Sequence, residues 1–303
     1  MKGVNIYTDL ALEERERFKR NVEIEGVKIE KKYSDNLDMT TTVVEIFNEE
    51  GSNAMGKPEG SYITMETRLL KNAEESTRKT IAGHLSNHLS QMVKDINVKN
   101  VLIVGLGNSQ ATPDALGPKT AEGILTGNNI YCVSPGVLAQ TGMETYSIIK
   151  GIVREINPDL IIAIDSLAAR NVRRVTTTIQ LTDTGITPGS GIGNHRKGLN
   201  QETLEKRVIA IGVPMVVSGA TIVNDTMEKL LNILSSVEKS NYMSNIFSRY
   251  SQQEKYQLFE ELLSEDTEQM FVTPKDVDEI VDNLSRIIAH ALNKFCCEMI
   301  NNK

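Results

Sequence analysis

The sequence predicts an α/β protein: an open, largely parallel sheet flanked by helices, with a β element ahead of it and helices behind. Three observations carry that expectation. Between residues 99 and 225, strand-like apolar runs alternate with helical segments, the rhythm of βαβ units. Two of those runs, "LIIAID" and "RVIAIGVPMVV", are apolar without alternation, as in strands covered on both faces. The C-terminus carries a helical stripe of apolar residues that needs a surface to dock on.

Taken in order, residues 1–25 are highly charged and read as loosely held apart from the short apolar patch in "YTDLALE". The β-type runs "VKIEKKY", "TTVVEIF" and "YITMETRLL" follow, the last two separated by the Gly/Pro/Asn-rich "NEEGSNAMGKPEGS". Over 74–96 the period changes, and Ile81, Leu85, Leu89, Met92, Val93 and Ile96 fall on one helical face. "NVLIVGL" reads as a strand leading through "GLGNSQATPDALGP" to a helix near 115–126. "NIYCVS" is a second short strand, "TYSIIKGIVREI" a helix, "PDLIIAIDSLAA" a buried strand and "RVTTTIQLTD" an alternating one. After "RVIAIGVPMVV", the segment "NDTMEKLLNILSSVE" places Met227, Leu230, Leu231 and Ile233 near one helical face. Thr273 and Pro274 read as N-cap and first-turn residue of the last helix, whose stripe runs from Val277 to Phe295. Residues 239–272, polar with scattered aromatics, carry no clear pattern. The expected division is an N-terminal extension over 10–98, a catalytic core over 99–225 and a helical part over 226–303, packed as one globular unit.

Bulk properties narrow the function. A formal charge of -7 leaves no basic surplus for phosphates, so direct nucleic-acid binding is not expected. No apolar run approaches the length of a membrane span, and "MKGVNIYTDLALEERERFKR" lacks the apolar region of a secretory signal. Cys132, Cys296 and Cys297 are odd in number with two adjacent, which is neither a disulfide framework nor a zinc pattern. A cytoplasmic location is expected.

The loop after the first central strand invites a dinucleotide reading, but the position a third glycine would take is Gln110, and no Gly-Lys-Ser/Thr exists. A nucleotide site survives only as a weak alternative. What the loop supplies is Asp114, at the carboxyl end of a buried strand, where open α/β sheets place their sites. Alone, Asp114 reads first as a helix N-cap. A second acid, Asp165, ends the apolar run "LIIAID", and Asp183 opens the Gly-rich "DTGITPGSGIGNHRKG" as a third candidate. Two carboxylates at about 4 Å repel by ~4 kcal/mol at an effective dielectric near 20, so such a pair shares a proton. The ionised member can then take a proton from water while its partner donates to a leaving nitrogen. That is amide hydrolysis without a nucleophilic side chain.

Other chemistries fit less well. "HLSNH" puts His84 and His88 at helical spacing but lacks the glutamate of a zinc protease. His195, beside Arg196 and Lys197, reads equally as a carboxylate binder or as solvated, and His290 as structural. Ser190 lies in a Gly-rich loop and not in a strand-to-helix elbow. "YTDLALEERE" reads by pattern as a helix start, with Thr8 or Asp9 as cap and Leu10 and Leu12 loosely packed.

Six stretches together change the weighting: "TDLALE", "GLGNSQATPDALGP", "PGVLAQTGMET", "IIAIDSLAAR", "DTGITPGSGIGNHRK" and "VTPKDVDEIVDNLS". In sequence and order they resemble the germination proteases of spore-forming Firmicutes, over nearly the whole chain and most specifically over 101–217. The resemblance implies an endopeptidase of the spore core that degrades small acid-soluble, DNA-coating proteins. It also implies a zymogen that removes its own N-terminal propeptide, a homotetramer and no cofactor. It implies a sheet like that of hydrogenase-maturation endopeptidases, whose matching acids contact a metal; in the germination proteases two acids are thought to act as an atypical aspartic dyad. These acids map onto Asp114 and Asp165. Family substrates are cut after an acid and before an apolar residue, with Ala and Glu following, which places self-cleavage between Asp9 and Leu10 of "TDLALE". The implied propeptide, residues 1–9, is shorter than usual for the family, and the stretch between the two aspartates reads as trimmed. Gly189, Ser190 and Gly191 would then shape the substrate cleft, with His195, Arg196 or Lys197 meeting acidic substrate residues. Two rival readings are a metal-dependent maturation endopeptidase, with His195 as third ligand, and a nonenzymatic nucleotide-binding module.

Overall fold

Strands β1 (Val27–Ser34), β2 (Met39–Ile46), β3 (Gly60–Glu66), β4 (Val101–Gly105), β5 (Ile130–Val133), β6 (Leu160–Ala169), β7 (Thr178–Thr182), β8 (Arg207–Ser218) and β9 (Phe271–Val272) join in one sheet. This is a computed structural model, and it describes residues 9–16, 18, 23–189, 197–235, 254 and 270–301. The strand order is β1-β2-β3-β7-β8-β6-β4-β5, with β9 on the far end of β8. From β8 through β6 and β4 to β5 all pairings are parallel, as the βαβ rhythm predicts. From β8 through β7 and β3 to β1 they are antiparallel. The N-terminal β element therefore extends the central sheet, because β3 pairs with β7.

Helices α1 (Ala11–Arg15), α2 (Glu49–Met55), α3 (Glu75–Met92), α4 (Leu116–Glu122), α5 (Leu138–Thr141), α6 (Thr145–Ile156), α7 (Gln201–Leu204), α8 (Gly219–Ser235) and α9 (Val277–Asn301) complete the described chain. Side chains alternate across a strand, so each central strand feeds two cores. Ile103, Ile162, Ile164 and Ile211 face α3 and α9, joining Ile81, Leu85, Leu284 and Phe295. Leu102, Val104, Ile161 and Ala163 face α6, joining Tyr146, Ile149 and Val153. The expected apolar stripe of α9 is buried along its length and packs on α3 and α4.

Several boundaries differ from expectation for physical reasons. The helix after β4 spans Leu116–Glu122 only, preceded by a 3-10 turn over Thr112–Asp114. The last helix begins at Val277, not Pro274, because the Thr273 hydroxyl donates to the Met215 carbonyl at 2.9 Å and ties that segment to β8. α8 starts directly at the end of β8, and Leu230 (45%) and Ile233 (62%) are exposed. Most of 239–272 lies outside the described residues. Among the described residues, no helix is long and apolar enough to cross a membrane.

Candidate active site

The glycines after β4 serve close packing. A side chain at Gly105 would collide with the Gly117 carbonyl, and one at Gly117 with the Leu106 carbonyl, so α4 lies directly against the strand end. Gly107, at φ +111°, has the Asp114 carbonyl where a Cβ would be. The Asn108 N–H, which a phosphate loop would offer to a ligand, donates to Asp114 itself, at 2.8 Å to Oδ2 and 3.0 Å to the carbonyl. Asp114 is not the N-cap of α4. That position is Ala115, without a side-chain cap. The loop presents an acid.

Asp165 does not end its strand, as the sequence suggests; it is the sixth of ten residues of β6. Its neighbour β4 stops with Gly105 opposite Ile164, so Asp165 occupies the first position that β4 leaves uncovered. On its other side it is in register with Gly212 of β8. Asp165 is 5% exposed, and its Oδ1 accepts the Ser166 N–H at 2.9 Å. Asp114 and Asp165 line one cavity of ≈ 280 Å³, together with Pro113, Leu167 and Gly189. A third acid shares that cavity, and it comes from the N-terminal segment: Asp9.

Residues 9–16, the described part of the N-terminal segment, are not loosely held. Leu10, Ala11 and Leu12 are among the most buried side chains of the described chain, and Glu13 is only 3% exposed. The reason is tertiary docking, which local pattern does not reveal: α1 packs against α2, β2 and β3. The cap residue is Leu10 rather than Asp9, with no side-chain cap bond, while Thr8 lies outside the described residues. Asp9 is tied to β6 at Ala168, its N–H facing the Ala168 carbonyl at 3.5 Å while its side-chain Oδ2 accepts the Ala168 N–H at 3.0 Å. The Asp9 carbonyl accepts from Gln180 Nε2 at 3.1 Å and Lys57 Nζ at 3.4 Å. One residue past Leu10, the Ala11 N–H donates to Gln180 Oε1 at 2.8 Å.

Glu13 anchors the other end of this turn. Its carboxylate accepts the Arg170 N–H at 2.7 Å and the Asn171 N–H at 3.0 Å, with Arg174 Nη1 at 3.5 Å. Arg174 also meets Glu16 at 2.7 Å and Glu66 at 2.9 Å. Burial works against its charge, but the hydrogen bond to Glu16 and the charges of Glu66 and Glu16 more than offset this and hold its pKa above the ordinary value.

The remaining candidates are placed elsewhere. Asp183 follows β7, which runs antiparallel to β8, so it emerges near the amino end of β8 and not with Asp165. There it accepts the Ser61 N–H at 2.8 Å and pairs with Arg207 at 3.2 Å, a structural tie rather than a third catalytic acid. Gly189 lines the cavity at φ +75°. Lys197 is exposed and does not line it: its Nζ sits 4.3 Å from the Tyr146 ring centre and its N–H donates to Glu144. Ser190, Gly191, His195 and Arg196 lie outside the described residues. Among the described residues, no three His, Cys, Asp or Glu side chains gather in a way that could hold a metal ion. Sequence reasoning misses Gln180, Lys57 and Arg174. For Gln180 the available signal is a large amide in a short central strand, "TIQLT", all of whose residues are buried.

Residues 6–245 and 232–303 match the family model described as "Germination protease". A germination protease of Caldanaerobacter subterraneus subsp. tengcongensis is 42% identical, over 96% of this chain and 94% of the relative. That of Clostridium perfringens is 38% identical over 95% and 94%, and that of Bacillus subtilis 33% over 98% and 95%. Among solved structures, a NiFe hydrogenase maturation protease from Thermococcus kodakarensis aligns with a TM-score of 0.33 at 18% identity, covering 42% of this chain and 80% of its own.

Proposed function

The chain belongs to the germination protease family, and on that premise we propose that it is a self-activating endopeptidase of the spore whose own N-terminal segment is its first substrate. The observation that supports this most directly is that Asp9 lines the same cavity as Asp114 and Asp165. This shared lining supports the reading that the two carboxylates act on the bond following Asp9.

In this reading Asp114 and Asp165 hold a water between them, one ionised and one protonated. The ionised carboxylate takes a proton as the water oxygen attacks the Asp9 carbonyl carbon, and the carbonyl oxygen gains the electron pair. The protonated carboxyl gives its proton to the Leu10 nitrogen as the C–N bond breaks. The products are a peptide ending in the Asp9 carboxylate and a chain beginning at the Leu10 amine. Residues 1–9 form the propeptide.

The same cleft then takes small acid-soluble spore proteins in the spore core, the chain working as a homotetramer. Asp9 and Glu13 show the recognition such substrates would meet: an acid before the cut on the Ala168 N–H, and an acid four residues after it on the Arg170 and Asn171 N–H groups beside Arg174. In this reading charge recognition falls to β6 and the turn after it instead of to Lys197. Intact mass and N-terminal sequencing of the full-length protein after incubation at mildly acidic pH test the proposal. It requires release of residues 1–9 and a new N-terminus at Leu10; a new N-terminus at another residue overturns it.

A further inference from the structure

We propose that Gln180 is a catalytic residue of this self-cleavage, with its side-chain amide gripping the scissile peptide and donating to the oxygen that becomes the oxyanion. The inference rests on the reading that the Asp9–Leu10 bond is the one cut.

The grip has two ends. Gln180 Oε1 accepts the Ala11 N–H at 2.8 Å, and Gln180 Nε2 donates to the Asp9 carbonyl at 3.1 Å. Its orientation is forced, because an N–H can only meet the amide oxygen and a carbonyl can only meet the amide nitrogen. One side chain thus spans Leu10, fixing the carbonyl on one side and the next N–H on the other. Gln180 is 5% exposed, and its bond to the Ala11 N–H is buried. Lys57 Nζ, 3.4 Å from the same carbonyl oxygen, adds a positive charge.

The sheet explains why this amide works with Asp165. Both residues are register partners of Gly212, Asp165 from β6 and Gln180 from β7. Directly paired residues point to the same face of a sheet, and the middle residue of this row has no side chain. Neither Gln180 nor Lys57 lines the cavity that holds Asp114 and Asp165. In this proposal the carboxylates act from the cavity that Asp9 also lines, while the amide and the ammonium hold the carbonyl oxygen. As the water oxygen bonds to the Asp9 carbon, the carbonyl π electrons move onto the oxygen that Gln180 and Lys57 already face. Preplaced donors of this kind need no reorganisation when the charge appears.

The test is Gln180→Glu in the full-length chain, which keeps the length and the acceptor for the Ala11 N–H but puts an anion where the donor stood. Self-cleavage is followed by intact mass from mildly acidic to neutral pH, with the melting temperature recorded alongside. The cross-strand neighbours of position 180, Thr64 and Gly212, do not titrate, and the charged groups at the clamp are Asp9 and Lys57. The expected result at neutral pH is a rate lower by about 100-fold, the usual cost of losing an oxyanion donor. The variant's rate relative to wild type should climb as pH falls and the introduced carboxyl gains a proton to donate. Cleavage near the wild-type rate at neutral pH overturns the proposal. So does a slowed rate whose ratio to wild type stays flat with pH, which is the behaviour of a merely structural glutamine. If wild type itself does not cut after Asp9, the self-cleavage reading fails instead.

Discussion

Asp165 and Gln180 stand in one row of the sheet, three strands wide, with Gly212 between them. Strands lie roughly 4.8 Å apart, so the two backbones are separated by about 10 Å, and the Leu167 side chain from β6 lies over the glycine between them. On this sheet face, opposite α3 and α9, the segment from Asp9 to Glu13 is docked. The row couples the acid, the amide and the peptide bond proposed to be cut.

A side chain at Gly212 is expected to disturb that coupling. A Cβ at Gly212 would strike the Leu167 side chain, which itself lines the cavity. Gly212→Ala forces Leu167 to shift and slows self-cleavage; Gly212→Val removes it while the protein still folds. Intact-mass time courses with a parallel thermal melt check this, and undiminished cleavage in the valine variant contradicts it.

Glu13 is expected to hold the segment in place by charge. Glu13→Gln keeps the shape but leaves one oxygen for two N–H donors, so the bond from either Arg170 or Asn171 is lost, and hydrogen bonds to charged groups are worth about 1.5–3 kcal/mol. Losing one such bond slows self-cleavage by about tenfold or more if docking precedes the chemistry. Arg174 keeps Glu16 and Glu66, so its site does not collapse. Rates measured beside Glu16→Gln, which alters the more exposed partner of Arg174, separate docking from general destabilisation.

Much of the frame is legible in the sequence because its signals are local. The unbroken runs of β4, β6 and β8 and the stripe of α9 follow from periodicity, and Asp114 follows from the end of β4, whereas Asp165 lies within β6 at the point where β4 stops. The rest depends on relations between distant segments. Asp183 reads as a neighbour of the pair until the direction of β7 is known, and one strand's sequence does not carry its direction. Leu10 and Leu12 read as a stray helix start because their partners lie on α2, β2 and β3. Gln180 in "TTTIQLTD" reads as the solvent side of an alternating strand, since nothing nearby shows that the N-terminus covers it.

Phe295 is expected to be the largest single contributor within the α9 stripe. It is fully buried between the sheet and the helices that cover it. Phe295→Ala should cost about 3–5 kcal/mol, the range for emptying a buried aromatic site. Urea denaturation checks this, and a loss well under that range means that α9 repacks without it.

The three thiols should react in a definite order. Burial pushes Cys296 up to about 12 and Cys132 up to about 11, whereas Cys297 is exposed. The thiolate is the reactive form, so iodoacetamide at mildly alkaline pH labels Cys297 first. Peptide mapping checks the order, and early labelling of Cys296 contradicts the docking of α9.

The most direct test of the account is self-cleavage of Asp165→Asn, followed by intact mass under the conditions in which wild type releases residues 1–9. Asparagine keeps the size of the side chain and removes its ability to take or share a proton. The account predicts a folded protein with a melting temperature near that of wild type whose mass does not change. Release of residues 1–9 from this variant at the wild-type rate would show that Asp165 does not do the chemistry, and the paired-carboxylate mechanism would fall with it.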